Sequence, residues 1–249
     1  MNNIIEIKHL SKKYYNQKQE VLALENITLD VKEGEFLAIV GPSGCGKSTL
    51  LNIIGGIDDK TSGLINIAPN IKIGYMLQSD CLFSWLTILD NALLGLKLKG
   101  ILTEENTNYV KELLNTYGLS EFIDSYPSSL SGGMRQRVSL IRTLALKPDI
   151  LLLDEPFSAL DYQTRLAVAD DVYKIIKKEK KTVIMITHDI GEACSAADRV
   201  AVLSNRPSKV KKIFNIEMSE KSTPINNRKC KEFSYYYDMI WKEIDIHAE

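Results

Sequence analysis

Residues 41–48 read GPSGCGKS and match G-x-x-x-x-G-K-[ST], the pattern of a loop that binds phosphate groups. Glycines in such a loop let backbone N–H groups approach an anion without a Cβ in the way. A helix predicted to begin near Lys47 directs its positive end at the same anion. Lys47 supplies a cation for the β- and γ-phosphates of a nucleotide, and Ser48 offers its hydroxyl to Mg²⁺.

The surroundings of this loop argue against a glycine-rich turn that binds nothing. The loop follows the apolar run Phe36–Val40 and precedes the helical run Thr49–Ile54, which is the context that the pattern requires. The residues predicted to bind the nucleotide here are Gly41, Pro42, Ser43, Gly44, Cys45, Gly46, Lys47, Ser48 and Thr49.

Two adjacent carboxylates, Asp154 and Glu155, follow the apolar run Ile150–Leu153. Two charges at the end of a buried strand cost free energy unless a cation or proton chemistry uses them. Asp154 offers the oxygen chemistry that Mg²⁺ prefers, so we predict it as a metal ligand. Glu155 is predicted to polarise the water that attacks a phosphoryl group.

Gln78 and His188 stand at the ends of two further apolar runs, Ile73–Leu77 and Val183–Ile186. In open α/β sheets, ligands bind beyond the carboxyl ends of the strands, so four strands would deliver polar groups to one edge. Either side chain could contact the ion, the water or the γ-phosphate, and either taken alone could be structural. The predicted catalytic residues are Glu155, His188, Gln78 and Lys47, and the predicted metal ligands are Ser48, Gln78 and Asp154.

The elements that would carry these residues alternate between apolar runs and helical patterns, which predicts an α/β fold around a mostly parallel sheet. Residues 4–7 and 27–31 read as short strands of an antiparallel sheet beside that core. The pattern from 88 to 146 is helical and predicts an inserted helical subdomain. We therefore expect a nucleotide-binding core with its β subdomain at 1–87 and 147–218, the insert at 88–146, and a helical tail at 219–249.

The bulk composition excludes several classes of protein. The 249 residues include 31 basic and 32 acidic side chains, which is not the basic footprint of a nucleic-acid binder. The four cysteines form no C-x-x-C pair, which favours a reducing compartment over a disulfide framework or zinc site. We find neither a signal-peptide pattern nor an apolar run of about 20 residues, so any work at a membrane is expected from its surface.

A second glycine-containing motif, LSGGM at 130–134, is followed by RQRVSLIRTLALKPDILLLDEPFSALD. Ser131, Gly132 and Gly133 would start a helix with free N–H groups and a hydroxyl, although by themselves they also suit an N-capped helix that binds nothing. Together with the loop at 41–48, this segment resembles the ABC ATPase family and implies its P-loop NTPase (RecA-like) core, with ATP and Mg²⁺ as cofactors.

The resemblance implies a head-to-tail dimer with two nucleotides at its interface. In the family, the motif matching Leu130, Ser131, Gly132, Gly133 and Met134 closes over the γ-phosphate of ATP held by the opposite subunit. The loop that communicates across the dimer matches Ser158, Ala159, Leu160 and Asp161. An aromatic that stacks on adenine matches Tyr14, with the adjacent Tyr15 as the competing choice.

Two further stretches, LFSWLTILDNALLGLKLKG at 82–100 and VLSNRPSKV at 202–210, resemble the nitrate, sulfonate and taurine type of importer ATPase. This likeness implies a separate integral-membrane permease, an extracellular or lipid-anchored solute-binding protein, and a position on the cytoplasmic face of the cell membrane. Phe83, Trp85 and Leu86 are predicted to contact the permease; the alternative is that they are core residues. Ser84 departs from the subgroup, which often has proline before the tryptophan.

Two other functions remain in competition. A soluble ABC ATPase acting on nucleic acid or ribosomes would share the nucleotide site, but such proteins usually carry long coiled coils, zinc modules or a second cassette, and we see none in this sequence. A small-molecule kinase would use the phosphate loop but would leave LSGGM unexplained. An ATP-hydrolysing importer subunit is therefore the preferred interpretation.

Overall fold

The structure, a computed structural model, describes residues 3–15, 20–158 and 160–244. The strands within those ranges are β1 (Asn3–Tyr15), β2 (Glu20–Lys32), β3 (Phe36–Val40), β4 (Ser62–Ile67), β5 (Ile73–Met76), β6 (Ile150–Asp154), β7 (Thr182–Ile186), β8 (Arg199–Leu203) and β9 (Val210–Asn215). The α-helices there are α1 (Lys47–Ile54), α2 (Ile88–Leu98), α3 (Glu104–Thr116), α4 (Gly132–Leu144), α5 (Tyr162–Lys178), α6 (Ile190–Ala196), α7 (Pro224–Asn227) and α8 (Lys231–Ile244).

The central sheet has the strand order β5-β6-β7-β3-β8-β9, with β9 antiparallel and the other strands parallel. Every residue of β3, β6 and β7 is buried, because both faces of the sheet are covered. Such strands read as continuous apolar runs rather than alternating ones, which is why the sequence shows them clearly. The predicted α/β core with a mostly parallel sheet is confirmed.

The amino-terminal sheet is antiparallel, as predicted, with the order β2-β1-β4. Its first two strands are much longer than the predicted segments at 4–7 and 27–31. Irregularities hide this length from the sequence pattern: His9 and Asn26 adopt positive φ values of 52° and 55°, and the register of β1 on β2 shifts between Ile7 and Leu10. Extra residues at a bulge break the alternation of buried and exposed side chains.

Helices α2, α3 and α4 account for most of residues 88–146, a range that contains no strand and is fully described. Their apolar faces are fully or almost fully buried at Ile88, Leu96, Leu114 and Ile141. These side chains belong to the same hydrophobic cluster as Leu153 of β6. The helices are therefore packed continuously with the central sheet that carries the candidate site.

The carboxyl-terminal part contains α7 and α8. Ile240 is fully buried, and Phe233 and Tyr237 pack partly buried against the main core, so the apolar stripe of α8 serves packing. Trp241 is 51% exposed and stacks on Tyr237 at a ring separation of 6.3 Å. Residues 245–249 of the predicted tail lie outside the described residues. In the described part of the chain, none of the helices has both the length and the apolar character needed to cross a bilayer.

Candidate nucleotide site

The carboxyl ends of three neighbouring strands meet at one edge of the central sheet. Because β6, β7 and β3 are parallel and in register, Asp154 lies beside Ile186, and Ile186 lies beside Ile39. The pairing continues beyond the strands: the backbone N–H of Glu155 donates to Ile186 O at 2.9 Å, and that of Thr187 donates to Ile39 O at 3.2 Å. The phosphate loop, the acidic pair and the histidine segment therefore leave the sheet side by side.

The phosphate loop depends on two glycines with left-handed backbone. Gly44 has φ 71° and Gly46 has φ 116°, conformations that residues with a Cβ rarely adopt. A Cβ on Gly46 would also lie 2.9 Å from Leu24 Cδ2. Cys45 is 2% exposed and packs in the apolar cluster beneath the loop, so it serves as a small filler.

Lys47 begins α1 and is only 6% exposed. Its ammonium group donates to the carbonyl oxygens of Gly41 at 2.9 Å and Pro42 at 3.0 Å. The loop opens on a cleft of about 330 Å³, which is in the size range of small-molecule sites. The residues that line it are Ser43, Gly44, Gly46, Lys47, Ser48, Thr49 and Glu155.

Asp154 and Ser48 lie next to each other, with Ser48 Oγ donating to Asp154 Oδ1 at 3.4 Å. Burial raises the pKa of Asp154, and the neighbouring charge of Glu155 acts in the same direction. A cation at this position would reverse that effect by favouring the ionised carboxylate. The hydroxyl and carboxylate oxygens fit Mg²⁺, which binds through one or two protein oxygens and completes its coordination with water and substrate phosphates.

Gln78 and His188 both contact the carboxylate of Glu155. The Nδ1 atom of His188 is 3.1 Å from Glu155 Oε2, and Gln78 donates from Nε2 to the same oxygen at 3.4 Å. Gln78 also donates to Ser158 Oγ at 3.3 Å. Glu155 itself has φ 42°, a strained conformation of the kind that clusters at functional sites. The structure thus brings two of the predicted catalytic side chains, Gln78 and His188, to the carboxylate of a third, Glu155.

The LSGGM segment forms the start of α4, as predicted for a helix tip. Ser131 is exposed and caps the helix by accepting a hydrogen bond from Met134 N at 3.3 Å. Leu130 is buried beneath it, and Met134 is partly buried. A Cβ on Gly133 would lie 2.7 Å from Val168 Cγ2, so this glycine permits the close approach of α4 to α5. Gly132 and the Ser131 hydroxyl are left at the helix start.

The predicted dimer-communication loop begins three residues after Glu155. Ser158 is held to it, because its backbone N–H and its hydroxyl both donate to Glu155 O, at 3.2 and 3.1 Å. Leu160 is buried, and Asp161 caps α5 by accepting from Thr164 N at 3.1 Å. Ala159 lies outside the described residues.

The two candidate tyrosines differ in their surroundings. The hydroxyl of Tyr14 lies 3.4 Å from Thr49 Oγ1 in the phosphate loop and donates to Asp58 Oδ2 at 2.7 Å. Tyr15 is 70% exposed, and as the next residue of β1 its side chain points to the opposite face of the strand. The structure therefore brings Tyr14, and not Tyr15, to the phosphate loop.

The segment predicted to contact a permease is an exposed loop with a fixed backbone. Trp85 is 70% exposed and Phe83 is 39% exposed, with their rings 4.9 Å apart, whereas Leu86 is partly buried. The fully buried Asn91 accepts from Phe83 N and donates to Phe83 O and Leu86 O. The interpretation of Trp85 as a core residue is wrong, because α2 holds the loop with the indole outside.

Two pairs of residues near the site carried no sequence signal that we used. Tyr75 donates to Asn52 Oδ1 at 2.7 Å and lies 3.5 Å from Asp154 Oδ2, behind the carboxylate. Lys12 and Asp58 form an ion pair of 2.6 Å beneath Tyr14. Asn52 and Asp58 belong to no local motif, and only their contacts across the fold reveal them. Of these residues, Tyr75 was the easiest to identify from the sequence, because it lies three residues before Gln78 on a strand that leads into the site.

Comparisons with known proteins point to one family of ATP-binding proteins. A family model described as ABC transporter matches residues 24–158, more than half of the chain. A nitrate import ATP-binding protein of Synechocystis sp. is 39% identical over 247 residues, covering 95% of this chain and 93% of that protein. An aliphatic sulfonates import ATP-binding protein of Bacillus subtilis is 38% identical over 245 residues, covering 93% and 95%.

A solved structure shows the same fold. The dimeric structure of a post-hydrolysis state of an ATP-binding cassette, bound to ADP and Pi, matches with a TM-score of 0.74 and 34% identity. The match covers 86% of this chain and 99% of that one.

Proposed function

Because this chain belongs to the ABC transporter ATP-binding family and is an ATP-binding ATPase of that kind, we propose that it powers solute import through a separate membrane permease. The resemblance to nitrate, sulfonate and taurine import ATPases that the sequence indicated is confirmed. The observation that carries the proposal is the cleft in which the phosphate loop and Glu155 face each other, with Gln78 and His188 on that carboxylate.

Each polar group has a place in phosphoryl transfer to water. The backbone N–H groups of residues 41–49, except Pro42, and the ammonium group of Lys47 bind the phosphates of ATP, and Tyr14 stacks on the adenine. Ser48 and Asp154, with Gln78, hold Mg²⁺, which when bound neutralises charge on the phosphates. Glu155 polarises the attacking water, while Gln78 and His188 orient Glu155 and contact the water or the γ-phosphate.

The second half of the site comes from another copy of the chain. Ser131, Gly132 and Gly133 stand at a helix start, and the Ser131 hydroxyl, which accepts from Met134 N, can still donate its hydrogen to an anion held by a facing subunit. In a head-to-tail dimer they would close over the γ-phosphate of the partner's ATP, and residues 158–161 would connect the two sites. The solved cassette with the same fold is a dimer, which supports this assembly.

As an importer subunit, the chain also needs a surface that contacts the membrane permease. The exposed Phe83 and Trp85, with Leu86, form the contact with an integral-membrane permease, which places the chain at the cytoplasmic face of the membrane. A solute-binding protein on the outer side acts through the permease. We propose that the helices of residues 88–146 form the subdomain that transmits movement between the permease and the LSGGM segment, while residues 1–87 and 147–218 form the core and residues 219–249 the tail.

Nucleotide binding by purified protein tests the site. Wild-type protein with Mg²⁺ is expected to bind ATP and hydrolyse it, and Lys47→Ala is expected to lose binding because the phosphates lose their cation. Lys99→Ala, which removes an exposed lysine after α2, is the control and should bind normally. Binding that survives Lys47→Ala unchanged would exclude the loop as the phosphate site.

Co-purification distinguishes the importer function from the alternative function, that of an ABC ATPase acting on nucleic acid or ribosomes. A tagged chain expressed in its own cells should bring down an integral-membrane protein in detergent, and Trp85→Ala should weaken that capture. Recovery of ribosomes or nucleic acid, insensitive to Trp85→Ala, would favour the alternative instead.

A further inference from the structure

A compact cluster of Lys12, Tyr14 and Asp58 lies beside the phosphate loop. Lys12 is 8% exposed, and its ammonium group donates to Asp58 Oδ1 at 2.6 Å and to Asp59 O at 2.6 Å. The other oxygen of the same carboxylate, Asp58 Oδ2, accepts from the Tyr14 hydroxyl at 2.7 Å. One carboxylate therefore holds a buried cation and a phenol at the same time.

These contacts fix the aromatic ring of Tyr14 at both ends. Its backbone is paired with Val21 on β2, and its hydroxyl is tied to Asp58 in the loop after α1. The Lys12 ammonium also lies over the ring, 4.7 Å from its centroid, which is a cation–π distance. With one face covered by the cation, the ring offers its other face to a planar ligand.

The hydroxyl end of the Tyr14 ring lies at the phosphate loop, and much of the side chain is still exposed. Tyr14 is 41% exposed, although its hydroxyl lies within 3.4 Å of Thr49 Oγ1. The hydrogen bonds from Lys12 and Tyr14 lower the pKa of the Asp58 carboxyl, so the group is charged at neutral pH and holds both donors. The neighbouring ion pair of Lys13 and Glu20 is exposed and makes no hydrogen bond to the Tyr14 hydroxyl among the described residues.

We propose that Asp58 and Lys12 are positioning residues that preset the ring of Tyr14 for stacking on a purine base. The proposal rests on the proposed function, in which ATP is bound by residues 41–49. A side chain that is already ordered loses little freedom on binding, and this saving corresponds to about a two- to tenfold gain in affinity. Asp58 and Lys12 therefore contribute to the binding of the base and not to the chemistry at the γ-phosphate.

The substitution Asp58→Asn tests the proposal, because it keeps the shape of the side chain but removes its charge. We expect the Kd and KM for ATP to rise about two- to tenfold, while kcat at saturating ATP stays within about twofold. Inhibition by inorganic tripolyphosphate, which has the phosphates but no base, should be unchanged. Glu20→Gln, which breaks the neighbouring ion pair on the same two strands, is the control and should behave like wild type.

A double-mutant cycle separates action through Tyr14 from general support of the loop. Tyr14→Ala should weaken ATP binding by about tenfold, the loss of one base–aromatic stack. Adding Asp58→Asn to Tyr14→Ala should then cost nothing more. If Asp58→Asn fails to fold, Tyr14→Phe cuts the same link by removing only the hydroxyl and should reproduce its effect on ATP but not on tripolyphosphate.

Three results would overturn the proposal: unchanged ATP affinity in Asp58→Asn and Tyr14→Phe, an equal loss for ATP and tripolyphosphate, or the same loss with and without Tyr14. A wild-type chain that binds neither ATP nor tripolyphosphate is a different outcome. It would reject the nucleotide site itself rather than the positioning of its aromatic ring.

Discussion

Replacement of Glu155 by glutamine is the perturbation that most directly tests the chemistry of the site. The substitution Glu155→Gln changes one oxygen to an amide nitrogen and leaves the length of the side chain unchanged. Glu155 lines the cleft, and its Oε2 lies 3.1 Å from His188 Nδ1 and 3.4 Å from Gln78 Nε2. The amide fills the same volume but cannot attract the proton of an attacking water.

The size of the effect follows from what the carboxylate does. A positioned general base contributes about 10²- to 10⁴-fold to the rate. That range equals about 2.7–5.4 kcal/mol of barrier, at 1.36 kcal/mol for each factor of ten. Glu155 is the only carboxylate among the described residues that line the cleft, so we expect a loss of at least about 10²-fold in kcat.

The assay combines steady-state hydrolysis with nucleotide binding and size exclusion. ATP affinity should be retained, because Lys47 and the loop amides are unaltered. If hydrolysis is what opens the dimer, the variant should accumulate as a dimer in ATP and Mg²⁺. Glu179→Gln is a matched control: Glu179 also accepts a hydrogen bond, from the Tyr109 hydroxyl at 3.1 Å, but at a distance from the cleft.

Turnover of Glu155→Gln within a few-fold of wild type would refute the reasoning, since the described residues that line the cleft include no second carboxylate to replace it. Loss of ATP binding together with turnover would also count against the assignment. In that case the carboxylate would be required for binding ATP and not specifically for activating water.

Two further predictions concern the surface and the acid stability. Trp85→Ala should leave the thermal midpoint and basal ATP hydrolysis almost unchanged, because the indole is 70% exposed, and it should lower hydrolysis coupled to the permease; loss of folding in circular dichroism would contradict this. Burial by itself raises the pKa of Asp198, but hydrogen bonds from Lys221 and from the backbone of Phe36 outweigh it and lower the pKa below the ordinary value. This carboxylate therefore stabilises the fold above about pH 4, and the stabilisation is lost as the pH falls through the lowered pKa. In thermal melts across pH 2–7, Asp198→Asn should be less stable than wild type at neutral pH, and the difference should shrink in acid; a difference that does not change with pH would contradict the assignment.

Features encoded within a few consecutive residues were predictable from the sequence. The phosphate loop needs glycine where φ is positive, at Gly44 and Gly46, and that need is visible as a motif. The buried strands of the central sheet appear as apolar runs because both of their faces are covered, and the polar residues after them mark the site. Ser131 indicates the start of α4, because the hydrogen bond that caps a helix joins residues only three positions apart.

Features that depend on residues distant in the chain were not predictable. The length of β1 and β2 is concealed by bulges at His9 and Asn26, where the pairing continues although the alternation fails. The sequence also left the exposure of Trp85 open, since an apolar loop residue can face the core or the solvent. In the structure, Asn91 fixes the backbone of the loop through hydrogen bonds, and the Trp85 side chain is exposed.

The sequence by itself determined which chemistry this protein performs, because binding phosphate and activating water require particular residue types at short, fixed spacing. Only the tertiary structure decided how the aromatic ring beside the loop is held. Tyr14 and Tyr15 are adjacent and chemically identical, and the difference between them comes from Asp58, more than 40 positions further along the chain. Contacts between residues so far apart in the sequence arise when the β sheet packs against the loop after α1. A pattern of neighbouring residues therefore cannot predict them.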